Sequence, residues 1–124
     1  MTMVLVADDD PGLVRAISER LRSAGMEVIT CQDAYQAVEQ ARRRRPDVLV
    51  VDIHMPAGDG LSVLDRVSRM DEMAGVPVLV ITGDPDPGIE ETARRHGAAG
   101  LIRKPFETRW LVEQVQRAAA AERG

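Results

Sequence analysis

The sequence predicts an α/β fold in which helices cover both faces of a five-stranded parallel sheet, and three observations carry that prediction. Residues 3–7, 48–51 and 76–81 are short, continuously apolar and rich in β-branched side chains, the pattern of strands buried on both faces. Helix-period segments separate them. Strand-like and helix-like segments alternate five times, which argues for parallel pairing through right-handed crossovers.

Taken in order, residues 3–7 are the first strand. Asp10 can cap a helix that begins at Pro11, whose missing amide is harmless at the first helical position. Val14, Ile17 and Leu21 form its apolar stripe, and Gly25 ends it. Residues 26–31 are a weaker run that fits an edge strand. Asp33 can cap a second helix with Ala34, Ala37, Val38 and Ala41 facing inward. Arg42, Arg43, Arg44 and Arg45 precede Pro46. They read as a solvated helix end, where cations meet the negative end of the dipole, rather than as a nucleic-acid patch. Residues 48–51 are the third strand, and a third helix starts at Gly60 with Leu61, Leu64, Val67 and Met70 on one face. The fourth strand spans 76–81. The fourth helix spans 87–96 and is stopped by Gly97, with His96 read as a surface residue matched to the helix dipole. Residues 100–102 fit the second edge strand. The fifth helix spans 107–121, with Leu111, Val112, Val115 and Ala119 inward. Three strong strands flanked by two weak ones match a doubly wound, flavodoxin-like (βα)5 sheet of order 2-1-3-4-5, though the pattern alone leaves other orders open.

Composition narrows the function. A chain of 124 residues suits one domain, 1–124, whose residues 118–124 either finish a helix or begin a connector. With 44% hydrophobic and 29% charged residues the chain reads as globular. Only 2% is aromatic, so the core is aliphatic and no stacking platform for single-stranded nucleic acid is expected. A net charge of -4 gives no basic footprint for direct nucleic-acid binding. The single cysteine, Cys31, permits no intrachain disulfide and reads as a small buried side chain. No apolar run approaches the ~20 residues that span a bilayer, and no signal-like segment opens the chain, so the expected location is cytoplasmic, with no membrane partner.

Open α/β sheets bind ligands beyond the carboxyl ends of their strands, where strand order reverses. Asp8, Asp9 and Asp10 follow the first strand, Asp52 the third, Thr82 the fourth and Lys104 the fifth. Each alone has an ordinary reading: Asp10 a helix cap, Asp8 or Asp9 a turn residue, Thr82 a strand end, Lys104 a loop residue. Four strands delivering them to one edge point instead to a site. Two unit charges ~4 Å apart repel by about 4 kcal/mol at an effective dielectric near 20. Converging carboxylates therefore take up a proton or recruit a cation, and an all-oxygen set fits Mg2+ better than zinc. Lys104 can pair with a phosphate oxygen, Thr82 can donate a hydroxyl, and Asp52 is left as a carboxylate nucleophile able to form an acyl phosphate.

Over essentially the whole chain these residues resemble the response-regulator receiver family. The resemblance is carried by VLVADDD at 4–10, DVLVVDIHMPAGDG at 47–60, VLVITG at 78–83 and GLIRKPF at 100–106. It implies a signalling domain rather than an enzyme, acting only on its own phosphorylation and dephosphorylation. Asp52 would take a phosphoryl group from a sensor histidine kinase or phosphotransfer protein. Mg2+ would be held by Asp8, Asp9, Asp52 and the backbone carbonyl of His54. Lys104 would bind the phosphoryl group, Thr82 would shift toward it, and the Lys104–Pro105 bond would be cis. A downstream protein would dock on the face formed by the fourth helix, fifth strand and fifth helix, including Arg94, Arg95, Arg103 and Trp110. Leu101 departs from the family pattern, which commonly has an aromatic ring there, so the expected movement runs through Thr82 and the loop after it. His54 and Asp84 either flank the phosphoryl group and tune its hydrolysis, or His54 is exposed loop. Two rival readings are a haloacid-dehalogenase-type phosphatase, which leaves Asp52 and Met55–Pro56 unexplained, and a flavin binder, whose phosphate three aspartates would repel. A third is a receiver-like module that is never phosphorylated.

Overall fold

Each apolar run becomes a strand in the computed structural model, which describes residues 1–55 and 59–123. The strands are β1 (Met3–Ala7), β2 (Glu27–Cys31), β3 (Val48–Asp52), β4 (Val78–Thr82) and β5 (Gly100–Arg103). Pro56, Ala57 and Gly58, part of the 47–60 motif, lie outside the described residues. The helices are α1 (Pro11–Ser23), α2 (Ala34–Arg44), α3 (Gly60–Ser68), α4 (Ile89–Arg95) and α5 (Thr108–Arg123), with a 3-10 turn at Asp71–Met73. All strand pairs are parallel, and the sheet order is β2-β1-β3-β4-β5, as expected.

Alternate side chains of the central strands feed two apolar layers, which is why those strands need unbroken apolar runs. Leu5, Leu49 and Val51 pack with Ala37 and Val38 of α2 and with Val63 and Leu64 of α3. Val4, Val6, Val48 and Val50 pack on the other face with Ile17 and Leu21 of α1 and Leu111 and Val115 of α5. Burying a Val or Leu side chain fully contributes about 1.5–3 kcal/mol, so these two layers dominate the stability of the fold. The edge strands β2 and β5 are only partly covered.

The helix signals act where they stand in the sequence. Asp10 accepts from the amides of Gly12 at 3.0 Å and Leu13 at 3.2 Å, and Asp33 from that of Gln36 at 2.8 Å, each cap being worth about 1 kcal/mol. Gly25 and Gly97 take φ of 88° and 101°, the left-handed region that favours glycine at a helix stop. Arg45 caps α2 with φ 48°, so the arginine run does end a helix. Cys31 is 1% exposed, and burial together with the charge of Asp33 pushes its thiol up to about 11.

Several boundaries differ from expectation for local reasons. The amide of Val76 donates to Met73, holding it in the 3-10 turn, so β4 begins at Val78. Asp86 Oδ1 accepts from the amide of Gly88 and Asp84 Oδ1 from that of Asp86, so side-chain turns delay α4 to Ile89. The amide of Met26 donates to Leu21 at the end of α1, so β2 starts one residue later than expected. β3, β4 and β5 each run one residue past the apolar stretch, to Asp52, Thr82 and Arg103. On α3 the buried face is Val63, Leu64 and Val67; Leu61 and Met70 are half-buried. His96 is more than a dipole-matched surface residue: its Nδ1 lies 2.8 Å from Asp65 Oδ1, joining the end of α4 to α3. Among the described residues no helix is long and apolar enough to cross a membrane.

Candidate functional site

The sheet register brings the polar residues together. Ala7 pairs with Val51, Asp52 with Ile81, and Thr82 with Arg103, so the strands end nearly level and the residues that follow them share one edge. Asp8, Asp9 and Asp52 each offer a carboxylate oxygen there, and these oxygens all lie within 4.8 Å of one another. Lys104 reaches across from the end of β5. Its Nζ is 2.9 Å from Asp52 Oδ2 and 3.1 Å from Asp8 Oδ2. The sequence-predicted residues Asp8, Asp9, Asp52 and Lys104 therefore converge. Asp10 does not join them; it caps α1 and donates its amide to Asp8 Oδ1 at 2.9 Å.

The electrostatics are those of a crowded anionic pocket with one cation. Asp8 is fully buried and Asp52 is 3% exposed, whereas Asp9 is exposed. Burial raises the Asp8 carboxyl above its ordinary range; the Asp10 amide and Lys104 oppose that rise, and the charge of Asp52 adds to it. Burial would lower the Lys104 ammonium, but its hydrogen bonds and charge contacts with Asp52 and Asp8 outweigh that and hold it above the usual lysine value. Asp52 Oδ1 accepts the amide of His54 at 3.0 Å, which fixes the carboxylate plane. Asp8 Oδ2 is buried and faces the Lys104 ammonium at 3.1 Å, with no other hydrogen-bond partner among the described residues. An oxygen left in that state is suited to a metal ion.

Thr82 is fully buried at the end of β4, and its Oγ1 accepts the amide of Asp84 at 2.9 Å. His54 is exposed as a side chain but not isolated: its Nε2 lies 3.7 Å from Asp84 Oδ2. The Lys104–Pro105 bond is cis.

Two supporting roles escaped the sequence reading, one of them at a residue it had already singled out. Gly60 packs directly on the end of β3, where a Cβ would overlap the Asp52 carbonyl oxygen, and its amide donates to Ile53 at 2.8 Å. The Asp59–Gly60 pair was the available signal; its purpose, clearing room beside Asp52, shows only in three dimensions. The second is the hydrogen bonding of Asp84, which was expected only beside the phosphoryl group with His54. Beyond its bonds to Thr82 and Asp86 and its contact with His54, its carbonyl accepts from Arg103 at 3.0 Å. One loop residue thus touches the ends of three strands.

Residues 4–116 match the family model described as the response regulator receiver domain. The chain is 45% identical over 104 residues to protein-glutamate methylesterase/protein-glutamine glutaminase 1 of Anaeromyxobacter dehalogenans, covering 82% of this chain and 29% of that protein. It is 38% identical over 122 residues to the C4-dicarboxylate transport transcriptional regulatory protein DctD of Pseudomonas aeruginosa, covering 98% of this chain and 26% of that one. The chain thus spans less than a third of the length of these two relatives. Among solved structures, the chemotaxis response regulator CheY4 of Vibrio cholerae superposes with a TM-score of 0.89 at 30% identity, covering 95% of this chain and 98% of that one. The phosphatase and flavin-binding readings give way to these matches, and with its acidic pocket at the switch point of the sheet the chain belongs to the response regulator receiver family, as a phosphoacceptor signalling domain.

Proposed function

We propose that Asp52 is the phosphoacceptor and that Asp8, Asp9, Asp52 and the His54 backbone carbonyl hold Mg2+. The observation that carries this reading is the set of three carboxylates within 4.8 Å of one another, faced by Lys104 at 2.9 and 3.1 Å. When bound, Mg2+ neutralises the carboxylates and the charge on the transferring phosphoryl oxygens. The rest of the chemistry belongs to side chains. The amide of His54 and the ammonium of Lys104 orient the Asp52 carboxylate. Its oxygen forms the new O–P bond as the N–P bond of a partner's phosphohistidine breaks, and the departing imidazole takes its proton from solvent. Lys104 then exchanges part of its contact with Asp52 for a phosphoryl oxygen, and the Thr82 hydroxyl turns toward another.

The donor is a sensor histidine kinase or phosphotransfer protein. The added charge of about -1.5 to -2 biases the loops after β4 and β5 and, through them, a protein-binding face on α4, β5 and α5. That face holds a cleft of about 560 Å³ lined by Leu101, Arg103, Pro105, Phe106 and Trp110 among others. Arg94 and Arg95 are engaged by Glu90 and Glu91 on their own helix, which leaves Arg103 and Trp110 as its more distinctive features. We place the domain, residues 1–124, in the cytoplasm, acting on proteins rather than nucleic acid or membrane. His54 and Asp84 flank the acceptor and tune hydrolysis of the acyl phosphate; an unchanged dephosphorylation rate in His54→Ala would reduce His54 to exposed loop.

The deciding experiment is intact mass after incubation with Mg2+ and acetyl phosphate. One phosphoryl is gained by the wild-type protein and none by Asp52→Asn. A wild-type protein that gains nothing is a receiver-like module that is never phosphorylated.

A further inference from the structure

We propose that Arg103 is the positioning residue that carries the state of Thr82 to the α4–β5–α5 face, acting through the Asp84 backbone. This rests on Asp52 being the phosphoacceptor and adds the route by which its charge is read. The hydroxyl of the buried Thr82 accepts the amide of the half-buried Asp84 at 2.9 Å. When that hydroxyl turns to a phosphoryl oxygen on Asp52, the half-buried amide either follows it or loses its partner. Following is the cheaper course. The Asp84 carbonyl, on the far side of the same residue, accepts from Arg103 Nη1 at 3.0 Å. Rotation at Asp84 therefore shifts the acceptor that holds the guanidinium. Arg103 lies directly before Lys104, pairs in register with Thr82, and lines the cleft beside Trp110. Leu101, at the position between α4 and α5 where a hydrogen-bonding ring could have served, is a half-buried hydrocarbon packed against the core. It has no polar atom with which to follow Thr82.

The experiment uses Trp110, the chain's one tryptophan, which is 42% exposed at the edge of this cleft. Its emission is recorded with Mg2+ and acetyl phosphate while intact mass gives phosphoryl occupancy in the same samples. Wild-type emission shifts as occupancy rises. Arg103→Met, which keeps an apolar stem but no donor, reaches the same occupancy and loses most of the shift. Arg103→Lys, which restores a donor, recovers part of it. A full shift in Arg103→Met, no recovery in Arg103→Lys, or a phosphorylated wild type with constant emission overturns the relay while sparing the acceptor. Loss of phosphoryl uptake in Arg103→Met places that residue in the acceptor pocket and overturns the relay too. Absence of a mass gain in the wild type defeats the acceptor reading itself.

Discussion

Two aspartates bracket β3, and their fates differ. Asp47, just before the strand, accepts the Met3 amide at 2.7 Å and donates its own amide to the Met3 carbonyl at 2.8 Å, stitching β3 to β1. Asp52, five residues on, meets Asp8, Asp9 and Lys104. At the amino end of the sheet a carboxylate is absorbed by backbone. At the carboxyl end three carboxylates are pressed together with a single amine, and Asp8 is held above its ordinary range chiefly by burial. A carboxylate met by backbone donors is held as structure; three carboxylates that share one cation keep excess negative charge, which favours a cation from solution.

Removing the cation tests this contrast most severely. Lys104→Met leaves Asp8 and Asp52 facing each other, and should lower stability in urea by about 3 kcal/mol without divalent ions. Added Mg2+ should return much of it; an equal loss with and without Mg2+ would mean that Lys104 acts as packing. Next, Mg2+ at a hundredfold over its dissociation constant should stabilise the wild-type protein by about 2.7 kcal/mol. Asp9→Asn should need far more Mg2+ for the same gain, and a titration midpoint that does not move would remove Asp9 from the ligand set. At the opposite end, Asp47→Ala should cost about 1–2 kcal/mol, unaltered by Mg2+, with phosphoryl uptake intact by mass.

The smallest effect lies away from both ends, at Cys31. Below pH 9 its thiol is neutral in folded and unfolded chains alike and stability does not depend on it. Above that the unfolded thiol ionises from 9.0 while the folded one waits until about 11, so stability is lost as pH rises through this window. Wild type should therefore lose about 1 kcal/mol relative to Cys31→Ala on going from pH 8 to pH 10. Parallel curves for the two proteins would show that burial does not protect the thiol.

Much of the fold was readable in one dimension, because backbone satisfaction and burial act locally. Continuous β-branched runs, the caps at Asp10 and Asp33 and the stops at Gly25 and Gly97 each work through their immediate neighbours. Weak runs marked β2 and β5 as edges, which favoured the doubly wound order without excluding others. The acidic pocket was legible because a parallel sheet sends everything that follows its strands to one side.

What lay beyond such reading were the particular pairings between residues distant along the chain that do not follow strand ends. Nothing near His96 announces Asp65, nothing near Gly60 announces the Asp52 carbonyl, and nothing near Asp84 announces Arg103. The sequence by itself determined which segments would be strands and helices and which polar residues would follow the strands. Tertiary structure decided which carboxylates would share one amine and which loop would join Thr82 to β5. The reason is physical: local patterns set conformation, whereas a charge or an unpaired donor takes its meaning from whatever the fold places within hydrogen-bonding distance.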